Sequence, residues 1–128
     1  MHEAAKLCPV VIDESLIDVE SLLLARKLDW TGAVVKSPKG LTHMILIASV
    51  AGKQKIFVAG GDMSCPGAAL IQTVSLQARV PGITSVEANA RQFLPAANKE
   101  WEAKFPGMFR ITDGMMRTAE LNRPGLGA

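Results

Sequence analysis

The sequence predicts an α/β fold of about four successive parallel β/α units, closed by a C-terminal hairpin and an irregular tail. Three observations carry this reading. Short apolar, mostly β-branched runs alternate with stretches of helical spacing. Those runs are uniformly apolar rather than alternating, as expected of strands buried on both faces of a parallel sheet. Each run ends near a charged residue, and these residues (Asp13, Lys36, Asp62 and Glu87) recur every 23 to 26 positions.

Each element has its own local signal. Pro9-Val10-Val11-Ile12-Asp13 reads as the first strand. Asp18 is a predicted N-cap, and Val19, Leu22, Leu23, Ala25, Arg26 and Leu28 follow at helical spacing. Trp30-Thr31-Gly32 turns the chain into a second strand, Ala33-Val34-Val35-Lys36. After the loop Ser37-Pro38-Lys39-Gly40, Thr42 is expected to cap a helix carrying Met44, Ile45, Ile47, Ala48 and Ala51 and stopped by Gly52. Lys55-Ile56-Phe57-Val58-Ala59 is the third strand, closed by Gly60-Gly61-Asp62. Pro66 suits the first turn of a third helix, where its missing N–H is no loss, and Pro81-Gly82 ends that helix. Ile83-Thr84-Ser85-Val86-Glu87 is a weaker fourth strand.

Beyond Glu87 the pattern changes. A short helix is predicted around Asn98 to Ala103, broken by Phe105-Pro106-Gly107. Thr112-Asp113-Gly114 is a hairpin signal between Met108-Phe109-Arg110-Ile111 and Met115-Met116-Arg117.

Composition narrows the function classes. The chain has 128 residues, 48% hydrophobic and 20% charged, so it reads as one folded domain rather than a disordered one. A net charge of +2, only 5% aromatic residues and no Tyr argue against a nucleic-acid surface. Two cysteines, Cys8 and Cys65, lack zinc spacing and are too few for a disulfide scaffold, which points to a reducing cytoplasm. No apolar run approaches the ~20 residues of a membrane span, and no secretion signal is evident.

An eight-unit TIM-like barrel takes about 250 residues, so four units of this period fill about half of one. In such a barrel, residues at the C-terminal ends of the strands share one rim, where chemistry is built.

Val10-Val11-Ile12-Asp13-Glu14-Ser15, Val34-Val35-Lys36-Ser37-Pro38-Lys39-Gly40-Leu41-Thr42, Gly60-Gly61-Asp62-Met63 and Pro124-Gly125-Leu126-Gly127 occur in the order seen in the enolase superfamily. The chain resembles the C-terminal half of the (β/α)7β barrel domain of its mandelate racemase/muconate lactonizing group, from about Cys8 to the end. The resemblance implies that residues 1–128 form a partial barrel domain, equivalent to strands five to eight, without the family's N-terminal capping domain. The chain would then start in the helix before the fifth strand.

The resemblance also implies site roles. Asp13 matches a Mg²⁺ ligand and Lys36 the acid/base lysine, as in the muconate lactonizing and dipeptide epimerase branches. Asp62 and Glu87 match positions of substrate contacts. The family removes the proton α to a substrate carboxylate, and a divalent cation stabilises the resulting enediolate. A lysine base needs its pKa brought down, which a buried strand end favours. Successive strand residues point to opposite sides, so only one of Asp13 and Glu14 is expected to face the site, and Asp13 is the choice. A single Asp holds Mg²⁺ poorly against water, so this chain alone is expected to bind it weakly or not at all.

These expectations lead to a fragment of a Mg-dependent racemase, epimerase, cycloisomerase or acid-sugar dehydratase acting on a small carboxylate and inactive in isolation. The alternative is a non-catalytic half-barrel that self-associates through its open edges. Plainer readings stand beside each residue: Asp13, Glu14 and Ser15 as a polar strand exit, Lys36 and Lys39 as a solvated pair, and Cys65 as a packed helix-end residue.

Overall fold

The computed structural model describes residues 2–125. Leu126 and Gly127 of the Pro-Gly-Leu-Gly signature lie outside the described residues. Four strands, β1 (Val11–Ile12), β2 (Gly32–Lys36), β3 (Phe57–Gly61) and β4 (Ile83–Val86), form one sheet in the order β1-β2-β3-β4. Every neighbouring pair is parallel. Sequential order with parallel pairing means that each crossover moves one strand on in the same direction. That is half of a TIM-like barrel.

The strands are separated by α2 (Val19–Lys27), α3 (Leu41–Lys53) and α4 (Ala68–Gln77), and α1 (His2–Leu7) precedes β1. A one-turn 3-10 helix at Ser37–Lys39 links β2 to α3. Asp18 caps α2 as expected, its carboxylate accepting from the Ser21 N–H while the Ser21 hydroxyl accepts from the Asp18 N–H. Two other expected starts shift. Thr42 lies inside α3, which opens at Gly40 with φ of 123° and no side-chain cap. Pro66 stands just outside α4, whose N-cap is Gly67 with φ of 66°.

Residue alternation sorts the sheet into two faces. Ile12, Ala33, Val35 and Val58 pack against Leu22 and Ala25 of α2 and Met44, Ile47 and Ala51 of α3. A fully buried Leu or Val contributes about 1.5–3 kcal/mol, so this layer dominates the stability of the first three units. Gly60 lies on the same face, where a Cβ would come within 2.2 Å of Gln77 Oε1 from α4. The amide of buried Gln77 donates to the carbonyls of Val35 and Gly61 and to the Ser37 hydroxyl, tying α4 to the ends of β2 and β3. All three crossover helices therefore cover one face, as the outer ring of a barrel requires.

The other face corresponds to the barrel interior. A Cβ on Gly32 would meet the side chains of Val11 and Phe57, and one on Gly61 would meet Val34 and Lys36. Val11 is 36% exposed and Phe57 48%. Among the described residues this apolar face stays partly open to solvent.

The C-terminal segment departs from the expected hairpin. Met108 and Phe109 belong to a helix, α7 (Pro106–Phe109), preceded by α5 (Ala90–Phe93) and α6 (Pro95–Lys104). The Asp113-Gly114 turn forms with φ of 52° and 74° but closes only one antiparallel bridge, Thr112 to Met115. A second core joins Leu70, Ile71 and Val74 of α4 to Ala90, Phe105, Met108, Phe109 and Leu121. The expected hairpin strand gives way to a helix because Met108 and Phe109 are drawn into this core. Among the described residues no helix is long and apolar enough to cross a membrane.

Candidate functional site

Asp13, Lys36, Asp62 and Glu87 all fall at or just beyond the C-terminal ends of β1 to β4. Parallel pairing sets these four ends along one rim. The side chains do not all point to a common centre.

Asp13 and Lys36 do meet. Lys36 is the last residue of β2, 8% exposed, and its Nζ lies 2.8 Å from Asp13 Oδ1 and 2.5 Å from Glu14 Oε1. The expectation that only one of the two acids reaches the site is corrected. β1 ends at Ile12, so the alternation that would separate Asp13 from Glu14 has already lapsed, and both carboxylates turn onto the ammonium. Lys39 pins this turn from beside it, its Nζ donating to the carbonyls of Glu14 and Leu16. The solvated-pair reading is thus corrected for Lys36, which is buried, while Lys39 stays exposed with its ammonium on backbone carbonyls.

The charge state of Lys36 also differs from expectation. Burial pushes its pKa down, but the hydrogen bonds and charges of Asp13 and Glu14 outweigh it, and the group titrates above its usual 10.5. Glu14 is shifted the other way, below its usual 4.5, by its hydrogen bond to Lys36, with the lysine charge as the second cause. The resting lysine is an ammonium held by two carboxylates rather than a poised free amine.

Asp62 is 1% exposed and engaged elsewhere. Its two oxygens accept from the backbone N–H groups of Ser64 and Ala90, at 2.8 and 2.9 Å. It fastens the start of α5 to the end of β3, and no lone pair is aimed into the rim by these bonds. Glu87 is exposed and accepts from the Asn89 side-chain amide at 2.6 Å. Glu14 and Lys39 are the rim residues that sequence reasoning left out of the site. The adjacent Asp-Glu pair and the Lys-x-x-Lys spacing were the available signals.

A Mg²⁺ ion takes oxygen ligands in near-octahedral geometry. Among the described residues no group of three His, Cys, Asp or Glu side chains is placed to hold a metal, and both acids near the expected position are spent on Lys36. The residues present do not fit a resident Mg²⁺.

No model of a known protein family matches the chain, and no solved structure matches it. Among curated proteins, D-mannonate dehydratase of Sphingomonas sp. (strain SKA58) is 29% identical over 126 residues. That match covers 98% of this chain and 30% of the dehydratase. The chain therefore spans less than a third of the length of the relative it matches.

Proposed function

We propose that the chain is the catalytic-rim portion of an enolase-superfamily enzyme, acting on a sugar-acid carboxylate and inactive until the rest of the barrel is supplied. The carrying observation is the ion pair of Asp13 and Lys36 between the ends of adjacent parallel strands. The match to a dehydratase supports the acid-sugar member of the reaction classes considered. Elimination of water needs a proton taken from the carbon α to the carboxylate and a proton given to the departing hydroxyl. Lys36 as the ammonium suits the donating half, and as the amine, once its carboxylates are drawn away, the abstracting half. Among the described residues the chain's own donors do not complete a metal site.

The test is a chimaera in which this chain replaces the matched segment of the Sphingomonas dehydratase, incubated with D-mannonate in D₂O. NMR should show loss of the α-proton signal and a 2-keto-3-deoxy product carrying deuterium at C3 with the chimaera, and neither with the isolated chain. A folded chimaera showing neither would count against the reading.

A second reading, a half-barrel that pairs with a copy of itself, is favoured by the exposed Val11 and Phe57 on the concave face and by the unpaired edges of β1 and β4. Two copies would supply the eight strands of a closed barrel.

A further inference from the structure

A sizeable cleft lies away from the strand-end rim, in the C-terminal segment. It is about 690 Å³ and is lined by Pro106, Gly107, Arg110, Thr112, Arg117, Ala119 and Glu120. That volume falls within the usual range of about 300–1,000 Å³ for small-molecule sites.

Its lining carries two cations and one acid, a net positive charge. Arg110 and Arg117 bring two guanidinium groups, and among the described residues neither has an ion-pair or hydrogen-bond partner. The one acid in the lining, Glu120, is already engaged, its Oε1 accepting from the Met108 N–H at 2.8 Å. Thr112 adds a hydroxyl whose backbone is fixed by the reciprocal bonds with Met115.

The cleft is also braced. The Arg117 N–H donates to the Gly107 carbonyl at 3.1 Å, which holds the segment carrying Arg117 against α7. A Cβ on Gly107 would stand 3.1 Å from Glu120 Oε1 and 3.3 Å from Arg117 Cβ. The bare glycine therefore permits the close approach of these two side chains.

We infer that this cleft binds a phosphate group, free or as a monoester, between Arg110 and Arg117. Guanidinium groups recognise phosphate through paired, charge-assisted N–H donors, and two forks on one cleft favour a dianion over a monoanion. The site does not depend on the rim chemistry proposed above, and its ligand is read by charge and shape alone.

Isothermal titration calorimetry on the full chain at low salt tests this, with inorganic phosphate, phenyl phosphate and acetate as probes. Saturable binding of either phosphate probe with little response to acetate is expected, and Arg110→Gln and Arg117→Gln should each weaken it roughly tenfold. Lys99→Gln, an exposed cation outside the cleft, should leave it unchanged. Tighter binding of phenyl phosphate than of phosphate identifies a monoester as the ligand, and the reverse identifies the free ion. Both arginines are exposed, and circular dichroism of the variants checks that the fold is kept. Absence of phosphate binding, equal binding of acetate, or binding untouched by both arginine variants would overturn the assignment.

Discussion

Lys36 Nζ stands 2.8 Å from Asp13 Oδ1, so the last residue of β2 and the first residue after β1 share one ion pair across neighbouring parallel strands. Glu14 completes a two-carboxylate clamp on the same ammonium. The geometry places an acid and a lysine together without any contribution from distant parts of the chain.

The clamp sets a pH dependence. Glu14 is depressed below its usual 4.5, so its contribution to stability is present above that value and lost as pH falls through the lower folded value. Lys36 is raised above 10.5, so its contribution is present below that value and lost as pH rises through the higher folded value. Urea unfolding between neutral pH and pH 3 should show a smaller acid-side loss for Glu14→Gln than for the parent chain. An identical loss would place the ion pair outside the energetics of folding.

Asp62 should behave as a structural anchor. Asp62→Ala leaves the buried N–H of Ala90 without its acceptor, at a cost of about 1–3 kcal/mol, and frees the half-buried N–H of Ser64 as well. The midpoint of urea unfolding should fall accordingly. An unchanged midpoint would free Asp62 for the substrate role its position first implied.

Much of the sheet was legible because its signals are local. Four apolar runs at a steady period locate the strands, and Asp18 ahead of a helical apolar spacing locates the start of α2. What was hidden depended on distance in sequence. Asp62 is satisfied by Ala90, 28 residues away. Asn98, seen only as part of a short helix, bridges Gly67, Ala90 and Leu94 from inside the second core. The helix expected around Asn98 to Ala103 starts earlier, with Pro95 at the first turn of α6. Glu14 was misplaced because the alternation rule was extended past the end of a two-residue strand.

The contact of Gly60 with Gln77 gives a packing prediction. Gly60→Ala would place a methyl 2.2 Å from Gln77 Oε1, and overpacking of this kind costs about 1–3 kcal/mol. Chemical denaturation should show that loss, and adding Gln77→Ala should recover less than the whole of it, since the bonds to Val35, Ser37 and Gly61 go with the side chain. A Gly60→Ala chain as stable as the parent would mean that α4 sits further from β3.

Phe57 tests the partly open concave face. It is 48% exposed on the side opposite the helices, and a chain with open parallel edges should associate. Light scattering at micromolar concentration should find species larger than a monomer, reduced by Phe57→Lys. A well-folded parent monomer would contradict this.

The most direct measurement is the rate of α-proton loss from D-mannonate, with deuterium appearing at C3 of the keto product in D₂O, by the completed chimaeric barrel carrying Lys36→Ala. The account predicts a fall of roughly 10²–10⁴-fold against the unaltered chimaera, the usual contribution of a positioned acid or base, with the fold intact by circular dichroism. A rate retained within a few-fold of the parent would show that the lysine at the rim moves no proton.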